Sequence, residues 1–276
     1  MDTVVFTALG TGSLTTRRTR RPALYHLRWG KGDLDHLVLE CSYDTRERLL
    51  DAGEVDLAGV PQANILATHV HSDHFIGAME LEVRRVFNKN TNGMNGIFIR
   101  APRQAIEAFD VIKRALMPEY AWVESHHPDL QFAEVTDQSE FRIGEALVHA
   151  FQVHHGKPTE AVGYRITIDG LVFSYTGDAA HPPDGDKFAR ERDGLEALFS
   201  GADVVLCDAS GKLERPNHRH LNAREAGALA AKHNILVLLL THISGFDSEE
   251  EMIKACRDAG FRGEVFVAYD GMVMEF

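Results

Sequence analysis

The chain has 276 residues, of which 44% are apolar, so it is long enough to bury a substantial core in one large domain. Its 41 Asp and Glu residues outnumber 29 Lys and Arg residues and give a net charge of -12, which disfavours nucleic acid as a bulk partner because phosphates would be repelled. No stretch reaches the ~18 apolar residues of a membrane span, and the first residues lack a secretory pattern, so we expect a cytoplasmic protein that does not enter a membrane.

The first half of the chain alternates predicted strands with predicted helices. Apolar or alternating runs predict strands at residues 3–9, 36–41, 63–68 and 97–99. Asp44 is placed to cap a short helix that ends before Gly53, and Glu47 completes a capping-box pattern. Helical spacing of apolar residues predicts longer helices over 75–87 and 102–117.

Residues 118–138 show no clear period, and we expect them to be rich in loops. Beyond them, strands are predicted at 146–153, 162–169, 171–175, 204–207, 235–240, 265–268 and 272–276. The second and third of these strands flank Asp169-Gly170, a favoured two-residue turn, and therefore form a predicted hairpin.

Two further helices are predicted in the second half, at 223–233 and 248–260, and Ser248 with Glu251 forms a capping box for the latter. Both halves thus contain strand-rich blocks with helices inserted between them. This order predicts two sheets that pack together under an outer cover of helices. No linker-like segment divides the chain, so we expect a single domain over 1–276.

Four residues with metal-binding side chains lie within six positions, as His69, His71, Asp73 and His74. In an extended segment side chains two apart point the same way, so His69 and His71 can bind one ion together. Asp73 and His74 then face a neighbouring position. Imidazole nitrogen and carboxylate oxygen are the natural ligands of zinc and related divalent metals.

One loop cannot supply every ligand, so others must come from elsewhere in the chain. Three predicted strand ends carry candidates, namely His154 or His155, Asp178 and His242. Loops at strand ends commonly carry active-site residues on a rigid scaffold. Asp178 is a carboxylate and can bridge two cations.

The sequence resembles the metallo-β-lactamase superfamily over nearly the whole chain. The resemblance rests on THVHSDH at 68–74, VHHGKPTEAVGYRI at 153–166, YTGD at 175–178, LLLTHIS at 238–244 and VAYDG at 267–271. It implies an αββα four-layer sandwich of two mixed β-sheets flanked by helices.

The resemblance also implies a dinuclear site for two divalent metal ions. The ligands would be His69, His71 and one of His154 and His155 for one ion, Asp73, His74 and His242 for the other, and Asp178 between them. His155 is preferred because its HGKP context resembles the family's third-histidine turn, and His154 remains the alternative. Zn²⁺ is the expected metal, although the ligands also suit Mn²⁺ and Fe²⁺.

Two such ions predict a metal-dependent hydrolase. Bound metal lowers the pKa of water from ~15.7 to near ~7, and two ions ~3.5–4 Å apart can hold the resulting hydroxide and polarise the substrate. Asp73 is placed to orient or deprotonate that water.

Two later segments resemble the tRNase Z and related phosphodiesterase branch, DAS from Asp208 and HRHLNAREAG from His218. The resemblance implies that His220 is catalytic, either donating a proton to the leaving oxygen or stabilising the phosphorus centre, with Asp208 holding its ring. His218 is the weaker alternative. The competing interpretation is that His220 merely precedes a helix capped by Asn222.

The chain departs from that branch in two places. It has Glu-Cys-Ser-Tyr at 40–43 where the branch commonly has Asp-Cys-Gly. The predicted hairpin over 162–175 also closes in two residues, where tRNase Z proteins carry a long arm that binds tRNA. With the acidic net charge, this favours a small or cyclic phosphodiester over tRNA.

Other functions remain open. The same site could hydrolyse a carbon ester, lactone, thioester or amide, or process tRNA 3′ ends. Oxidoreductase chemistry is disfavoured because di-iron relatives usually have a carboxylate in place of His71, and a complete ligand set disfavours a non-enzymatic binding module. The expected partner is a small-molecule substrate, and a homodimer is left open.

The remaining cysteines and histidines have weaker signals. Cys41, Cys207 and Cys256 form no disulfide framework, which suits a reducing compartment. Loop residues His126, His127 and His181 are candidates to border the pocket, whereas most other histidines are expected to lie on the surface or in packing positions.

Overall fold

The computed structural model describes residues 3–14, 20–30, 35–57, 62–87, 96–117, 130–215 and 218–276. Two mixed β-sheets of seven strands each pack face to face, and helices cover their outer faces. The predicted αββα sandwich is therefore confirmed. His126, His127 and most of the segment predicted to be loop-rich lie outside the described residues.

The first sheet contains strands from both ends of the chain. Its strands are β1 Val5–Gly10, β2 Leu24–Arg28, β3 His36–Leu39, β4 Ala63–Leu66, β5 Ile97–Ala101, β6 Gln131–Glu134 and β14 Val273–Glu275. They lie in the order β14-β1-β2-β3-β4-β5-β6. Pairing is antiparallel from β14 to β3 and parallel from β3 to β6.

The second sheet has the same division into a parallel and an antiparallel half. Its strands are β7 Glu140–Ile143, β8 Ala146–Gln152, β9 Val162–Ile168, β10 Leu171–Tyr175, β11 Val204–Asp208, β12 Val237–Thr241 and β13 Glu264–Val267. Strands β10 to β13 are parallel, and β7 to β10 are antiparallel. Asp169 and Gly170 both have positive φ, at 46° and 90°, which confirms the predicted two-residue hairpin turn.

Seven α-helices lie within the described residues. They are α1 Thr45–Asp51, α2 Ser72–Phe75, α3 Gly77–Phe87, α4 Arg103–Leu116, α5 Ala189–Phe199, α6 Ala223–His233 and α7 Glu249–Asp258. The first four pack on the first sheet and the last three on the second. The capping box of Ser248 and Glu251 is confirmed at the start of α7. None of the described helices combines the length and apolarity needed to cross a bilayer.

The core between the sheets is rich in aromatic residues. Phe6 packs on Phe173 with ring centroids 5.6 Å apart, and Tyr25 packs on Tyr175 with centroids 5.3 Å apart. Burying such large apolar surfaces is the main driving force that holds two sheets together. The tyrosine hydroxyls also find partners, because Tyr175 donates to Glu40 Oε1 at 2.8 Å and Tyr25 lies 2.6 Å from Thr241 Oγ1.

Six strands end at one edge of the sandwich, namely β3, β4, β8, β10, β11 and β12. At this edge two residues other than glycine adopt the left-handed backbone conformation, Glu40 with φ 73° and His242 with φ 57°. Such strain costs of order 1–3 kcal/mol per residue and concentrates at functional sites. Every predicted ligand lies at this edge.

Two local predictions about helix boundaries were wrong. Asp44 adopts the left-handed conformation and makes no side-chain cap bond with α1, while its backbone N–H donates to Glu80 Oε2 at 2.9 Å. The predicted helix over 75–87 begins only at Gly77, which packs against neighbouring backbone. A Cβ on Gly77 would lie 2.0 Å from the carbonyl oxygen of Ser42, so glycine is required there.

Candidate metal centre

Three imidazoles from two different sheets converge on one point. His69 and His71 follow β4, and His155 follows β8. His71 Nδ1 lies 2.9 Å from His69 Nε2 and 3.1 Å from His155 Nε2. Nitrogens that share a tetrahedral zinc ion at ~2.0–2.1 Å would be spaced by about 3.3 Å, close to this arrangement.

Hydrogen bonds on the far side fix the tautomers of two of these rings. Thr68 Oγ1 donates to Glu40 Oε1 at 2.7 Å, so it accepts from His69 Nδ1, which lies 3.0 Å away. His155 Nδ1 donates to the carbonyl oxygen of Arg219 at 2.7 Å. Both rings therefore present an unprotonated Nε2 to the cluster, as metal ligands do.

A second group of ligand atoms lies beside the first. Asp73 and His74 belong to α2, and His242 follows β12. His242 Nε2 lies 3.4 Å from Asp73 Oδ2 and 3.3 Å from His74 Nε2. One ligand atom from each of the three residues lies within 4.8 Å of the others, so the group could hold an ion.

Asp178 lies between the two groups and presents one oxygen to each. Its Oδ2 lies 3.7 Å from His69 Nε2 and 3.5 Å from His155 Nε2. Its Oδ1 lies 3.3 Å from both His74 Nε2 and His242 Nδ1. This is the placement that a bridging carboxylate requires.

The buried atoms of the cluster fit a cation better than they fit one another. Asp178 Oδ1 and His242 Nδ1 are buried and make no hydrogen bond with any described residue. A buried carboxylate oxygen that makes no hydrogen bond is costly. The three imidazole nitrogens that face one another in the first group have too few protons between them for all three to be hydrogen-bonded. Divalent metal ions would satisfy all of these atoms at once, so the residues present fit the two ions that the sequence predicts.

The electrostatics of the cluster differ between its two halves. Burial by itself lowers the pKa of His242, but nearby carboxylates, led by Asp178, outweigh it and raise the pKa to about 10. Burial instead lowers the pKa of His155 to about 4, and burial with the adjacent imidazoles lowers that of His69 well below its usual range. At pH 7 the imidazoles of His69 and His155 are therefore neutral, whereas His242 holds a proton that a metal ion would have to displace.

The choice between the two adjacent histidines follows from where their side chains lie. His155 reaches the cluster, whereas His154 packs its ring edge-on against Phe188, with centroids 5.3 Å apart. His154 belongs to none of the groups of ligand atoms found among the described residues. The geometry therefore favours His155 over His154 as the third histidine ligand.

Glu40 contacts His74 on the side of the ring that faces away from His242, a role that the sequence did not predict. Its side chain is fully buried, and Oε1 lies 3.1 Å from His74 Nδ1. It also accepts from the backbone N–H and hydroxyl of Thr68 at 3.1 and 2.7 Å, and from Tyr175. An acidic residue at the end of an otherwise apolar strand was the signal that could have identified it.

His220 lies beside the cluster and is held by Asp208, as the sequence suggested. His220 Nδ1 donates to Asp208 Oδ2 at 2.8 Å, and the ring stacks on His242 with centroids 5.2 Å apart. Burial lowers the pKa of His220, but Asp208 outweighs it and raises the pKa above its usual value. Asn222 also caps α6, so His220 is both a residue that precedes a helix and a member of the site.

Two further observations bear on His220. Atoms of Asp178, Asp208, His220 and His242 also lie within 4.8 Å of one another, so a ligand role for His220 is geometrically open. The alternative residue His218 is exposed and belongs to none of the described ligand groups, and His181 is also exposed.

Comparison with known proteins agrees with this geometry. Residues 36–243 match the family model described as a beta-lactamase superfamily domain. A Mycobacterium leprae protein named as uncharacterized is 28% identical over 237 residues, which cover 83% of this chain and 78% of that protein. A ribonuclease Z of Mycobacterium bovis is 24% identical over 272 residues, which cover 96% of this chain and 95% of that protein.

Solved structures share the fold at low sequence identity. The metallo-beta-lactamase fold protein YhfI from Bacillus subtilis has a TM-score of 0.76 at 19% identity and covers 100% of both chains. A diphosphatase from the PhnP family has a TM-score of 0.71 at 20% identity and covers 99% of this chain and 97% of that one.

Proposed function

This chain belongs to the metallo-β-lactamase superfamily, and from that premise we propose that it is a dinuclear phosphodiesterase acting on a small or cyclic phosphodiester. The observation that carries the proposal is the placement of Asp178 between two groups of ligand atoms, with the His220–Asp208 pair beside them. We propose two Zn²⁺ ions bound by His69, His71, Asp73, His74, His155, Asp178 and His242. We also propose a cytoplasmic location, which the three buried free cysteines suit, and a single domain over residues 1–276.

Bound divalent ions would lower the pKa of coordinated water and offset the charge of a phosphodiester. The chain's own residues would do the rest. Asp73 would orient the attacking water by accepting a hydrogen bond from it, or would take its proton as a general base. His220, whose Nδ1–H is fixed by Asp208, would hold a proton on Nε2 and give it to the leaving alkoxide.

A small substrate is favoured by what lies between His155 and Asp178. That segment is fully described and contains only a turn and the β9–β10 hairpin, with no arm to dock a large RNA. The net charge of -12 also repels a polyanion. The ribonuclease Z relatives and the diphosphatase of the PhnP family carry names that fit phosphoester chemistry in general.

The proposal is tested with metal-replete protein and a panel of substrates. Bis(p-nitrophenyl) phosphate, nucleoside cyclic phosphates, precursor tRNA, a lactone and a thioester would be compared at equal enzyme concentration. We expect the small phosphodiesters to be cleaved at least as efficiently as precursor tRNA. Elemental analysis should find close to two metal equivalents per chain.

A matched variant distinguishes hydrolysis at the proposed metal site from hydrolysis by a contaminating enzyme. Asp178→Asn keeps the side-chain shape but removes the bridging charge, so it should lose both metal and turnover. Preferred cleavage of the lactone or thioester would replace the proposal with carbon-ester hydrolysis. Accurate processing of precursor tRNA at physiological salt would replace it with tRNA maturation.

A further inference from the structure

One cationic residue borders the proposed metal centre and has no role in the mechanism above. Arg219 is exposed and directly precedes His220 in the chain. Its main chain is fixed at the centre, because its carbonyl oxygen accepts the hydrogen bond from His155 Nδ1 at 2.7 Å. Arg219 is therefore anchored to one proposed ligand and is the neighbour of the proposed general acid.

The side chain of Arg219 lies across the turn that follows His155. Gly156 has a φ of 75°, and a Cβ added to it would lie 3.2 Å from Arg219 Cγ and 3.4 Å from Arg219 Nε. The first distance is shorter than the ~3.5–4.0 Å of an ordinary contact between carbon atoms, so a larger residue at 156 would press on the arginine stem. Glycine thus leaves room for this side chain beside the cluster.

The charge of Arg219 also acts on the cluster. Burial is the main cause that lowers the pKa of His71, and Arg219 adds to it against the opposing carboxylates of Asp178 and Asp73. Such an effect requires the positive charge to lie close to the imidazole ring. His71 is also the only member of its ligand group that is not fully buried. Arg219 therefore lies near the side from which a substrate can reach the cluster.

The local charge around Arg219 contrasts with that of the whole chain. A phosphodiester is an anion, and a net charge of -12 repels it. The stretch 212–224 has the opposite balance, since it carries one acidic residue against four cationic ones, namely Lys212, Arg215, Arg219 and Arg224. Cations beside the metal centre would offset the repulsion and raise the local concentration of an anionic substrate.

A guanidinium is well suited to phosphate oxygens. It offers five N–H donors in a planar fork, which can contact two oxygens of a phosphate at once. A neutral ester or lactone carries no charge for the guanidinium to balance. The same residue would therefore favour a phosphodiester over a neutral carbon ester at this site.

We propose that Arg219 binds a non-bridging oxygen of the substrate phosphate and makes the site selective for anionic phosphodiesters over neutral esters. The proposal rests on the phosphodiesterase function above and adds a residue that contacts the substrate. Arg219 would act in binding and substrate selection, whereas proton transfer to the leaving group stays with His220.

Calorimetry with dimethyl phosphate and trimethyl phosphate tests the proposal on the metal-loaded protein. The first compound is a monoanion, the second is its neutral methyl ester, and neither measurement requires turnover. Arg219→Met keeps an apolar stem across Gly156 but removes the charge. It should weaken the binding of dimethyl phosphate roughly tenfold and leave that of trimethyl phosphate unchanged. Arg219→Lys should cost less, because an ammonium keeps the charge but not the planar fork.

Metal content and steady-state kinetics distinguish substrate binding from a structural role. Both substitutions retain the carbonyl oxygen that accepts from His155, so elemental analysis should find the wild-type metal content. With bis(p-nitrophenyl) phosphate, Arg219→Met should raise KM and change kcat little, because the contact forms in the ground state and the transition state alike. Loss of metal from Arg219→Met would overturn the proposal and assign the side chain to support of the ligands.

Arg224→Met is the matched control. Arg224 is exposed in the first turn of α6, and its replacement changes the net charge by the same amount. It should bind dimethyl phosphate as the wild type does. Equal losses in the two Met variants, equal losses for both ligands, or unchanged binding of dimethyl phosphate by Arg219→Met would overturn the proposal. A wild type that does not bind dimethyl phosphate would also overturn it.

The binding measurements keep this proposal distinguishable from the proposed function. Failure of the wild type to cleave any phosphodiester would contradict the proposed function, while the loss of dimethyl phosphate binding in Arg219→Met would still report on the arginine. Cleavage of bis(p-nitrophenyl) phosphate with the same KM in the wild type and in Arg219→Met would overturn the role of Arg219 and leave the proposed function intact.

Discussion

Glu40 combines three features that rarely occur together in one residue. It is fully buried, its φ is 73°, and its carboxylate contacts Thr68, Tyr175 and His74. A carboxylate behind a metal-binding imidazole fixes the ring orientation and raises the basicity of the ligand. Glu40 stands where the branch commonly has aspartate. Its longer side chain reaches from the end of the strand to His74, which it can orient.

Replacing Glu40 should weaken metal binding without removing a ligand. We predict that Glu40→Gln lowers metal affinity roughly 10–100-fold, the usual cost of losing such a supporting partner. Competition with a chromophoric chelator would measure the affinity. Tyr175→Phe serves as a graded control, since it removes one hydrogen bond to Glu40 but keeps the charge, and it should cost less. Unchanged affinity in Glu40→Gln would show that His74 needs no such support.

His220→Ala should separate proton donation from metal binding. A general acid typically contributes ~10²–10⁴-fold, and an alkoxide leaving group needs it more than p-nitrophenolate, which is a weak base. We predict full metal content, a steep loss of kcat on alkyl phosphodiesters and a smaller loss on p-nitrophenyl esters.

Elemental analysis and paired kinetics would check this outcome for His220→Ala, with His218→Ala as the exposed neighbour expected to change little. Equal losses on both substrate types would indicate electrostatic stabilisation of the transition state. Loss of metal would make His220 a ligand in the group that includes Asp178, Asp208 and His242.

Strand β2 shows why parts of the fold could not be predicted from the sequence. Its residues LYHLR include a histidine that breaks the apolar run, yet His26 is only 1% exposed. The reason is a contact 28 positions away, where His26 Nδ1 lies 3.0 Å from Glu54 Oε2. A local pattern cannot reveal such a partner. Strands β6 and β7 were not predicted for another reason: each lies at the edge of its sheet and exposes polar side chains, so its sequence lacks a clear apolar pattern.

Features with local causes were predicted correctly. The hairpin about Asp169-Gly170 depends on two adjacent positive φ values, and the capping box of Ser248 and Glu251 on a spacing of three residues. The His-x-His-x-Asp-His cluster is local too. The support from Glu40 depends on segments far apart in the chain, so only the structure reveals it.

Glu54 links β1, β2 and the end of α1, and its contribution to stability should depend on pH. It accepts from Thr7 Oγ1 at 2.6 Å, and its hydrogen bond with His26 is the main cause that lowers its pKa to about 2, against the opposing effect of burial. Because the pKa is depressed on folding, the stabilisation is complete above the unfolded value of ~4.3 and is lost as the pH falls towards 2.

We predict that Glu54→Gln destabilises the metal-free protein by about 1–2 kcal/mol at pH 7. The gap to the wild type should shrink between pH 5 and pH 3.5, because the wild-type carboxylate begins to lose its advantage there. Urea unfolding at each pH would measure it. Glu107→Gln, in an exposed pair with Arg103, should cost little at any of these pH values. A gap that stays constant down to pH 3.5 would contradict the assignment.

The distribution of the proposed ligands would make the proposed metal centre a link between the two sheets. His69, His71, Asp73 and His74 follow a strand of the first sheet, whereas His155, Asp178 and His242 follow strands of the second. Apart from this edge, the sheets are held by the aromatic core. Metal binding should therefore stabilise the whole molecule and, most directly, the strand ends where the ligands lie.

Chelation should lower the thermal stability of the whole molecule while leaving it folded. An ion present at a thousandfold excess over its dissociation constant contributes about 4 kcal/mol, which corresponds to a decrease in Tm of roughly 10 °C per site for a chain of this size. After chelation, hydrogen exchange should become faster at 68–74 and 176–178. The turn at Asp169-Gly170, at the opposite end of β10, should exchange at the same rate as in the metal-loaded protein. Scanning calorimetry with and without chelator would measure Tm, and Asp178→Asn should respond little to chelator because it already lacks the bridge. If elemental analysis confirms complete removal of metal and Tm does not change, the ions are not shared between the sheets and the ligand assignment is wrong.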